Sequence, residues 1–313
     1  MYSQKNIPKE RCKPAGIFIS HGVQINGRWV NIRGIRARFS DVDVMPLALH
    51  SGGTNFAQGM GVTGANVSTA GRNGAKLYGT NGTFFYPTAA TAPDYRQFDV
   101  YRIQMSANSF HADRRTRDIG TVNLSHEDRS NPCGTFVAFN NPVGGAIAVE
   151  QRLVNINELR VNGNAVPLNS IRYAIGGTSM FFSNRSMTQD AFFREMANEG
   201  ASQERNFRPR TAFVYLGMGA TETLLLTVYG NNLSQSGSVT NNTDPHSGVT
   251  LWELRQLIIQ HFLDPVGRVG LGVGLDGGGS TQLHVRLENG ADHSFSAQTT
   301  GFRSVPTMIT VPM

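Results

Sequence analysis

Residues 274–287 read GLDGGGSTQLHVRL. A single carboxylate, Asp276, stands before three glycines and a hydroxyl pair, and an alternating apolar pattern follows at once. A glycine triplet loses more backbone entropy on folding than any other triplet, so it marks a turn that needs positive φ or a close approach to the main chain. Upstream, RVGLGVGLD alternates Val269, Leu271, Val273 and Leu275 with Gly270, Gly272 and Gly274. As a strand this stretch has one apolar face and one nearly bare face, which lets a neighbour pack unusually close. Downstream, Leu283, Val285 and Leu287 alternate with Gln282, His284 and Arg286. The glycines therefore join two strands, with Asp276 at the mouth of the loop. A plain tight hairpin needs such glycines, and so does a concavity of backbone N–H groups that holds a phosphate. From these residues alone the hairpin is the simpler reading.

The preceding segment, SGVTLWELRQLI at 247–258, predicts a helix over 250–262. Thr250 and Glu253 form a capping box, Val249 and Leu254 a hydrophobic staple, and Leu251, Leu254, Leu257, Ile258 and Phe262 share one face. A second helix is predicted over 186–199, with Ser186 and Gln189 spaced as a capping box. Almost everything else reads as short strands. FISHGVQING and RWVNIRGIRARFS meet at Asn26-Gly27, and LRVNGNAVPL turns at Asn162-Gly163, both hairpin signals. The apolar runs RYAIGGTSMFF, RTAFVYLGM and TLLLTVYG follow. The expected class is α+β, a strand-rich mixed sheet core with few helices. The expected organisation is a strand-rich segment over 1–50 packed on a domain over 51–313, with a Gly, Ala and Ser-rich run at 51–74 and a polar insertion near 88–135.

The chain has 313 residues, 39% of them hydrophobic, enough for one large domain with a real core rather than a disordered segment. No apolar run has the length of a membrane-spanning helix, so no membrane role is expected. The opening residues show no apolar core followed by a small-residue cleavage site, so the expectation is a cytoplasmic chain, or one released by lysis or in a phage particle. Cys12 and Cys133 are the only cysteines, too few for a disulfide framework and wrongly spaced for zinc. The net charge of +6, with Arg114, Arg115 and Arg117 in one cluster and Arg205, Arg208 and Arg210 in another, points to an anionic partner or to a merely soluble basic surface.

The combination of SGVTLWELRQLI with GLDGGGSTQLHV resembles the C-terminal signature of the phosphodiester glycosidase family. YGTNGTFF at 78–85, AIGGTSMFF at 174–182 and RPRTAFVYLG at 208–217 fall in the family's order, so the resemblance spans roughly residues 60–313. One position departs from the pattern. The family usually places an acidic residue before the glycine that follows the TLLLTVYG strand, where this chain has Tyr229-Gly230. Asp244, in the loop before the predicted helix, is the candidate to replace it.

The resemblance implies a hydrolase that cleaves the bond between a sugar anomeric carbon and phosphate, acting on an anionic sugar phosphate or glycopolymer; N-acetylglucosamine is the sugar of the family's best-known substrate, and which sugar this chain takes stays open. Such a site needs a group that stabilises phosphate charge, an activated water or nucleophile, and support for an oxocarbenium-like sugar. Asp276 is the leading general base or nucleophile, with a hairpin-capping role as its structural alternative. Glu253 is a second catalytic candidate, although a capping-box glutamate already has a reason to be there. Arg210 is the candidate phosphate clamp, because a guanidinium matches phosphate oxygens bidentately. Asn81 offers an amide, and Gly277, Gly278, Gly279 and Ser280 offer backbone and hydroxyl donors. His246 is a candidate proton shuttle or a solvated loop histidine. No cofactor is expected and no His or Cys cluster argues for zinc; a carboxylate-bound Ca²⁺ or Mg²⁺ stays open. Two rivals stand beside this reading. One is a glycan- or phosphate-binding structural protein, of a phage for example, that keeps the fold without turnover. The other, ranked last because no aromatics interleave the basic cluster, is a nucleic-acid binder.

Overall fold

In the strand Glu222–Tyr229 every residue after the first is buried, and the reason is that both faces of its sheet are covered. Leu224, Leu226 and Val228 enter one apolar core, while Leu225 and Tyr229 enter another on the opposite side. A strand buried on both faces loses its polar alternation and reads as a continuous apolar run. The computed structural model that shows this describes residues 9–12, 16–46, 77–82, 85–87, 98–100, 104–106, 109–111, 134–140, 144–148, 151–155, 158–161, 163–199, 204–217, 222–233, 243–297, 305 and 307–312. The run at 51–74, the cluster of Arg114, Arg115 and Arg117, Cys133 and most of the polar stretch at 88–135 lie outside the described residues.

The central sheet has seven strands, in the order Lys9–Cys12, Gly16–Ile25, Arg28–Arg38, Glu222–Tyr229, Arg210–Tyr215, Leu271–Gly274 and Thr178–Ser179. Its pairings are antiparallel throughout. The hairpin at Asn26-Gly27 forms as expected, with φ of 49° and 79° at the two turn residues, the left-handed pair that a two-residue turn requires. Glu158–Val161 and Asn164–Pro167 likewise pair, with φ of 80° at Gly163, while Asn162 lies outside the described residues.

One face of the central sheet is covered by two helices, α1 (Gln189–Asn198) and α2 (Leu251–Ile258). Phe192 and Met196 from α1 and Leu254, Leu257 and Ile258 from α2 pack with Val30, Ile32, Ala212, Val214 and Leu226. Burying such a side chain fully is worth about 1.5–3 kcal/mol, so this layer is a main source of stability. The opposite face packs on two smaller five-stranded sheets. One runs Asp292–Ser296, Gln282–Arg286, Leu77–Asn81, Thr307–Pro312, Asp43–Pro46; the other runs Gly144–Ala148, Thr135–Phe139, Ile171–Gly176, Gln104–Ser106, Ser109–His111. Phe39, Phe136, Tyr173, Phe213 and Tyr215 form an aromatic cluster between the layers, with neighbouring centroids 4.8–6.4 Å apart. The chain is thus α+β, with a strand-rich core and few helices. No helix among the described residues is long and apolar enough to cross a membrane.

Three local expectations are corrected. α1 is capped by Thr188, whose side chain accepts from the Ala191 N–H, and not by Ser186. The turns Phe181 to Asn184 and Asn184 to Met187 delay the helix, and Ser186 bonds Asn184 instead. The second helix begins as predicted, with the Thr250–Glu253 capping box complete, but its end widens into a π-helical stretch, Ile259–Leu263. The glycine loop, finally, is not a hairpin. Leu271–Gly274 belongs to the central sheet and Gln282–Arg286 to a smaller one, so the loop crosses between layers. Val273, Leu275, Leu283, Val285 and Leu287 then meet across the second core instead of pairing edge to edge. The bare face of Leu271–Gly274 is used as expected: a Cβ on Gly272 would lie 2.7 Å from the Phe182 ring, and one on Gly274 would lie 2.8 Å from Thr178 Oγ1.

Candidate functional site

Because the central strands are antiparallel, the start of Arg210–Tyr215 and the ends of Glu222–Tyr229 and Leu271–Gly274 gather at one end of the sheet. The segments 204–209, 243–250 and 275–281 emerge there together. The crossing loop is fastened at each step. The Leu275 N–H donates to Thr211 O at 2.8 Å, the Asp276 N–H to Gly82 O at 3.3 Å and the Gly278 N–H to Pro209 O at 2.9 Å. The glycines have separate reasons. A Cβ at Gly277 would sit 2.8 Å from Pro209 O and 3.4 Å from Arg210 Cδ, while Gly278 adopts φ of 57°.

Asn81 is the hub of this region and is buried. Its Nδ2 donates to Asp276 O at 2.8 Å and to Gly82 O at 3.4 Å. Its Oδ1 accepts from Thr211 Oγ1 at 2.8 Å and from the Gln282 N–H at 3.0 Å. The amide that sequence reading offered to a ligand is therefore spent on holding the loop. Asn81→Ala is expected to lower stability by about 3 kcal/mol, since it strips partners from several buried polar groups at once. A urea unfolding midpoint near that of wild type would show that the hub carries no such weight.

The amides of the turn are likewise committed to the protein. The Gly277 N–H donates to Asp276 Oδ1 at 3.0 Å, the Ser280 N–H to Gly277 O at 3.2 Å and the Thr281 N–H to Gly278 O at 3.1 Å. Ser280 is fully buried. These bonds account for the amides of Gly277, Gly278 and Ser280 within the fold, which moves the weight of anion binding to side chains. Asp276 is partly exposed.

Arg210 lies under the turn and is buried. Its Nε donates to Val249 O at 3.1 Å and its Nη2 to Asn206 O at 2.8 Å. Burial, and the neighbouring Arg208 cation, pull its pKa down to about 9, opposed by Glu204 and Asp276, so it is still charged at neutral pH. Arg208 is partly exposed and was not singled out as a site residue from sequence. Burial lowers its pKa as well, and Asp276 opposes that shift by attraction. The spacing held the signal: in an extended Arg-Pro-Arg, the two arginines project to the same side.

Glu253 has its carboxylate oxygens bonded within the fold. Its Oε2 accepts from Arg28 Nη2 at 2.5 Å and from the Thr250 N–H at 3.0 Å, and its Oε1 accepts from Asn26 Nδ2 at 3.1 Å. It caps α2 and ties the Asn26-Gly27 hairpin to it. Asp244 caps the turn Pro245–Ser247, accepting from the His246 N–H at 2.9 Å and from Asn232 Nδ2 at 2.6 Å. Tyr229 stacks on Phe295 at 3.9 Å and 19°, with Arg33 over both rings at 5.7 and 5.6 Å. Burial raises its phenol pKa, and the residue makes an aromatic core contact. No group of three or more His, Cys, Asp or Glu side chains that could hold a metal occurs among the described residues.

Comparison with known proteins agrees with this architecture. The family model described as phosphodiester glycosidase matches residues 116–312, a span that includes both arginines, α2 and the glycine turn; the Asn-Gly box at 78–85 lies upstream of it. The structure is similar to the zebrafish N-acetylglucosamine-1-phosphodiester alpha-N-acetylglucosaminidase catalytic domain auto-inhibited by pro-peptide, at 12% identity and a TM-score of 0.51, covering 99% of this chain and 93% of that one. It is also similar to a hypothetical protein from Synechocystis, at 13% identity and a TM-score of 0.52, covering 97% of this chain and 64% of that one. At such identities the likeness is one of fold. No curated protein matches the sequence.

Proposed function

Because the chain belongs to the phosphodiester glycosidase family, we propose that it hydrolyses the bond between a sugar anomeric carbon and phosphate in a glycosyl 1-phosphodiester, with Asp276 as the catalytic carboxylate. The observation that carries this reading is the placement of Asp276. It stands partly exposed at the mouth of a loop locked by Asn81, and two arginine charges lie close enough to feel it. A phosphate monoester leaving group has a second pKa of roughly 6, so it departs without strong acid help. What the site must supply is positive charge where the phosphate gains its electrons, and a base or nucleophile at the sugar. Arg208 and Arg210 supply the first and Asp276 the second. A nucleotide sugar, a teichoic-acid-like polymer or a sugar-capped phosphate on a macromolecule meets these requirements.

One observation favours a second reading, a binding protein without turnover. Tyr229 is buried where the family carries an acid, and the oxygens of Glu253 and Asp244 bond protein groups. Mass-spectrometric product analysis separates the two. Wild-type protein incubated with a panel of glycosyl 1-phosphodiesters, UDP-N-acetylglucosamine among them, is expected to release free sugar. Saturable binding with no sugar released from any member would replace the hydrolase by the binding protein.

A further inference from the structure

We infer that Arg208, rather than Arg210, is the residue that grips the phosphoryl oxygens of the substrate, along the edge formed by its Nε and Nη2. This rests on the phosphodiester reading above for its substrate class. The two atoms are buried and have no hydrogen-bond partner. Both lie on one side of the guanidinium, and their N–H bonds run parallel, the arrangement that meets two oxygens of a phosphate at once. Unmet buried donors on a cation are costly, and native proteins rarely leave a pair of them on one edge without a reason.

The contrast with neighbouring arginines is specific. Arg210 spends Nε and Nη2 on the carbonyls of Val249 and Asn206. Arg255, fully buried, spends Nε and Nη2 on the carbonyls of Met180, Phe181 and Asn184. Arg28 pairs with Glu253. These three hold the fold. Arg208 has a fixed backbone instead: its N–H donates to Val249 O at 3.3 Å and its carbonyl accepts from the Val249 N–H at 2.9 Å. The side chain is thus presented from a pinned position, with its better hydrogen-bonding edge unused.

Its relation to Asp276 completes the argument. The carboxylate attracts the Arg208 charge, while the Nε and Nη2 of that arginine donate to no protein group. A cation with two open donors beside a carboxylate is an arrangement that divides a glycosyl phosphate. The phosphoryl oxygens go to Arg208 and the anomeric carbon lies toward Asp276. When water attacks that carbon, Asp276 accepts the water proton. The carbon–oxygen bond breaks toward phosphate, and the electron pair it leaves becomes negative charge on oxygens held by Arg208.

Calorimetric titration with inorganic phosphate, in low-salt buffer at neutral pH, tests the assignment on wild type, Arg208→Gln and Arg208→Lys. Wild type is expected to bind saturably. Arg208→Gln is expected to bind about 10- to 100-fold more weakly, the loss of charged hydrogen bonds, and Arg208→Lys to recover only part, since an ammonium cannot form the fork. The urea midpoint gives an independent readout. Removing a cation whose buried Nε and Nη2 have no partners is expected to leave stability unchanged or raise it, whereas a structural arginine would lower it. Phosphate affinity in Arg208→Gln equal to wild type, or no binding by wild type, would overturn the proposal. Phosphate held through Arg208 with no sugar released from any substrate would sink the hydrolase and leave the anion site standing. Sugar release that is unchanged in Arg208→Gln would do the reverse.

Discussion

Asp276→Asn is expected to slow the release of sugar from a glycosyl phosphodiester by about 10²- to 10⁴-fold, the range for a removed general base, while unfolding at nearly the wild-type denaturant midpoint. The substitution is conservative where the loop needs it to be. An asparagine Oδ1 still accepts the Gly277 N–H, and the main-chain bonds of residue 276 with Gly82 and Asn81 do not involve the side chain. What disappears is the negative charge and the capacity to take a proton. Measuring kcat/KM beside the unfolding curve separates these effects. Turnover by the variant at the wild-type rate would remove Asp276 from the chemistry and return it to the role of a turn residue.

Glu253→Ala is expected to be the most damaging single change to stability, at about 3–5 kcal/mol. The carboxylate shares its oxygens between the cap of α2 and the Arg28 guanidinium, which is 7% exposed. Truncation leaves that cation with the carbonyls of Pro245, Gly248 and Ile25 and the Phe207 ring but no counter-charge, and undoes the helix cap as well. Part of the loss should return in an Arg28→Met, Glu253→Leu double variant, because an apolar pair no longer buries an unbalanced charge. Sugar release per folded molecule should stay within a few-fold of wild type. The opposite pattern in Glu253→Gln, with stability kept and turnover lost, would restore Glu253 to the catalytic pair proposed from sequence.

The residues show why some of this was readable in advance. Asn26-Gly27, the Thr250–Glu253 box and the bare face of Gly272 and Gly274 are local: each is decided by a few neighbouring side chains and by backbone geometry. The loop at 275–281 was not. Alternation tells which face of a strand is apolar, but not which strand lies beside it, so two strands facing each other across a core look the same as a hairpin. Ser186 and Thr188 both suit a helix cap, and only the turns before the helix decide between them. Arg208 and Arg210 are chemically identical in the sequence. What separates them is which carbonyls fall within reach, and those belong to Asn206 and Val249 by virtue of the fold. Glu253 could be seen to cap a helix, but Arg28 lies 225 positions away.

The strand Arg28–Arg38 sits inside the central sheet, bonded along its length to Glu222–Tyr229, although the family span begins at residue 116. Leu77–Asn81 is similarly interior to its own sheet, between Gln282–Arg286 and Thr307–Pro312. The residues matched by the family model therefore share their sheets with strands that precede them in this chain. Expressed alone, they would turn Glu222–Tyr229 into a long, apolar, unprotected border with a row of open amides and carbonyls, the template for intermolecular strand addition and aggregation. They would also lack Asn81, the residue on which the glycine turn is hung. The strands Arg28–Arg38 and Leu77–Asn81 thus close, from upstream, sheet borders that residues 116–312 alone would leave open.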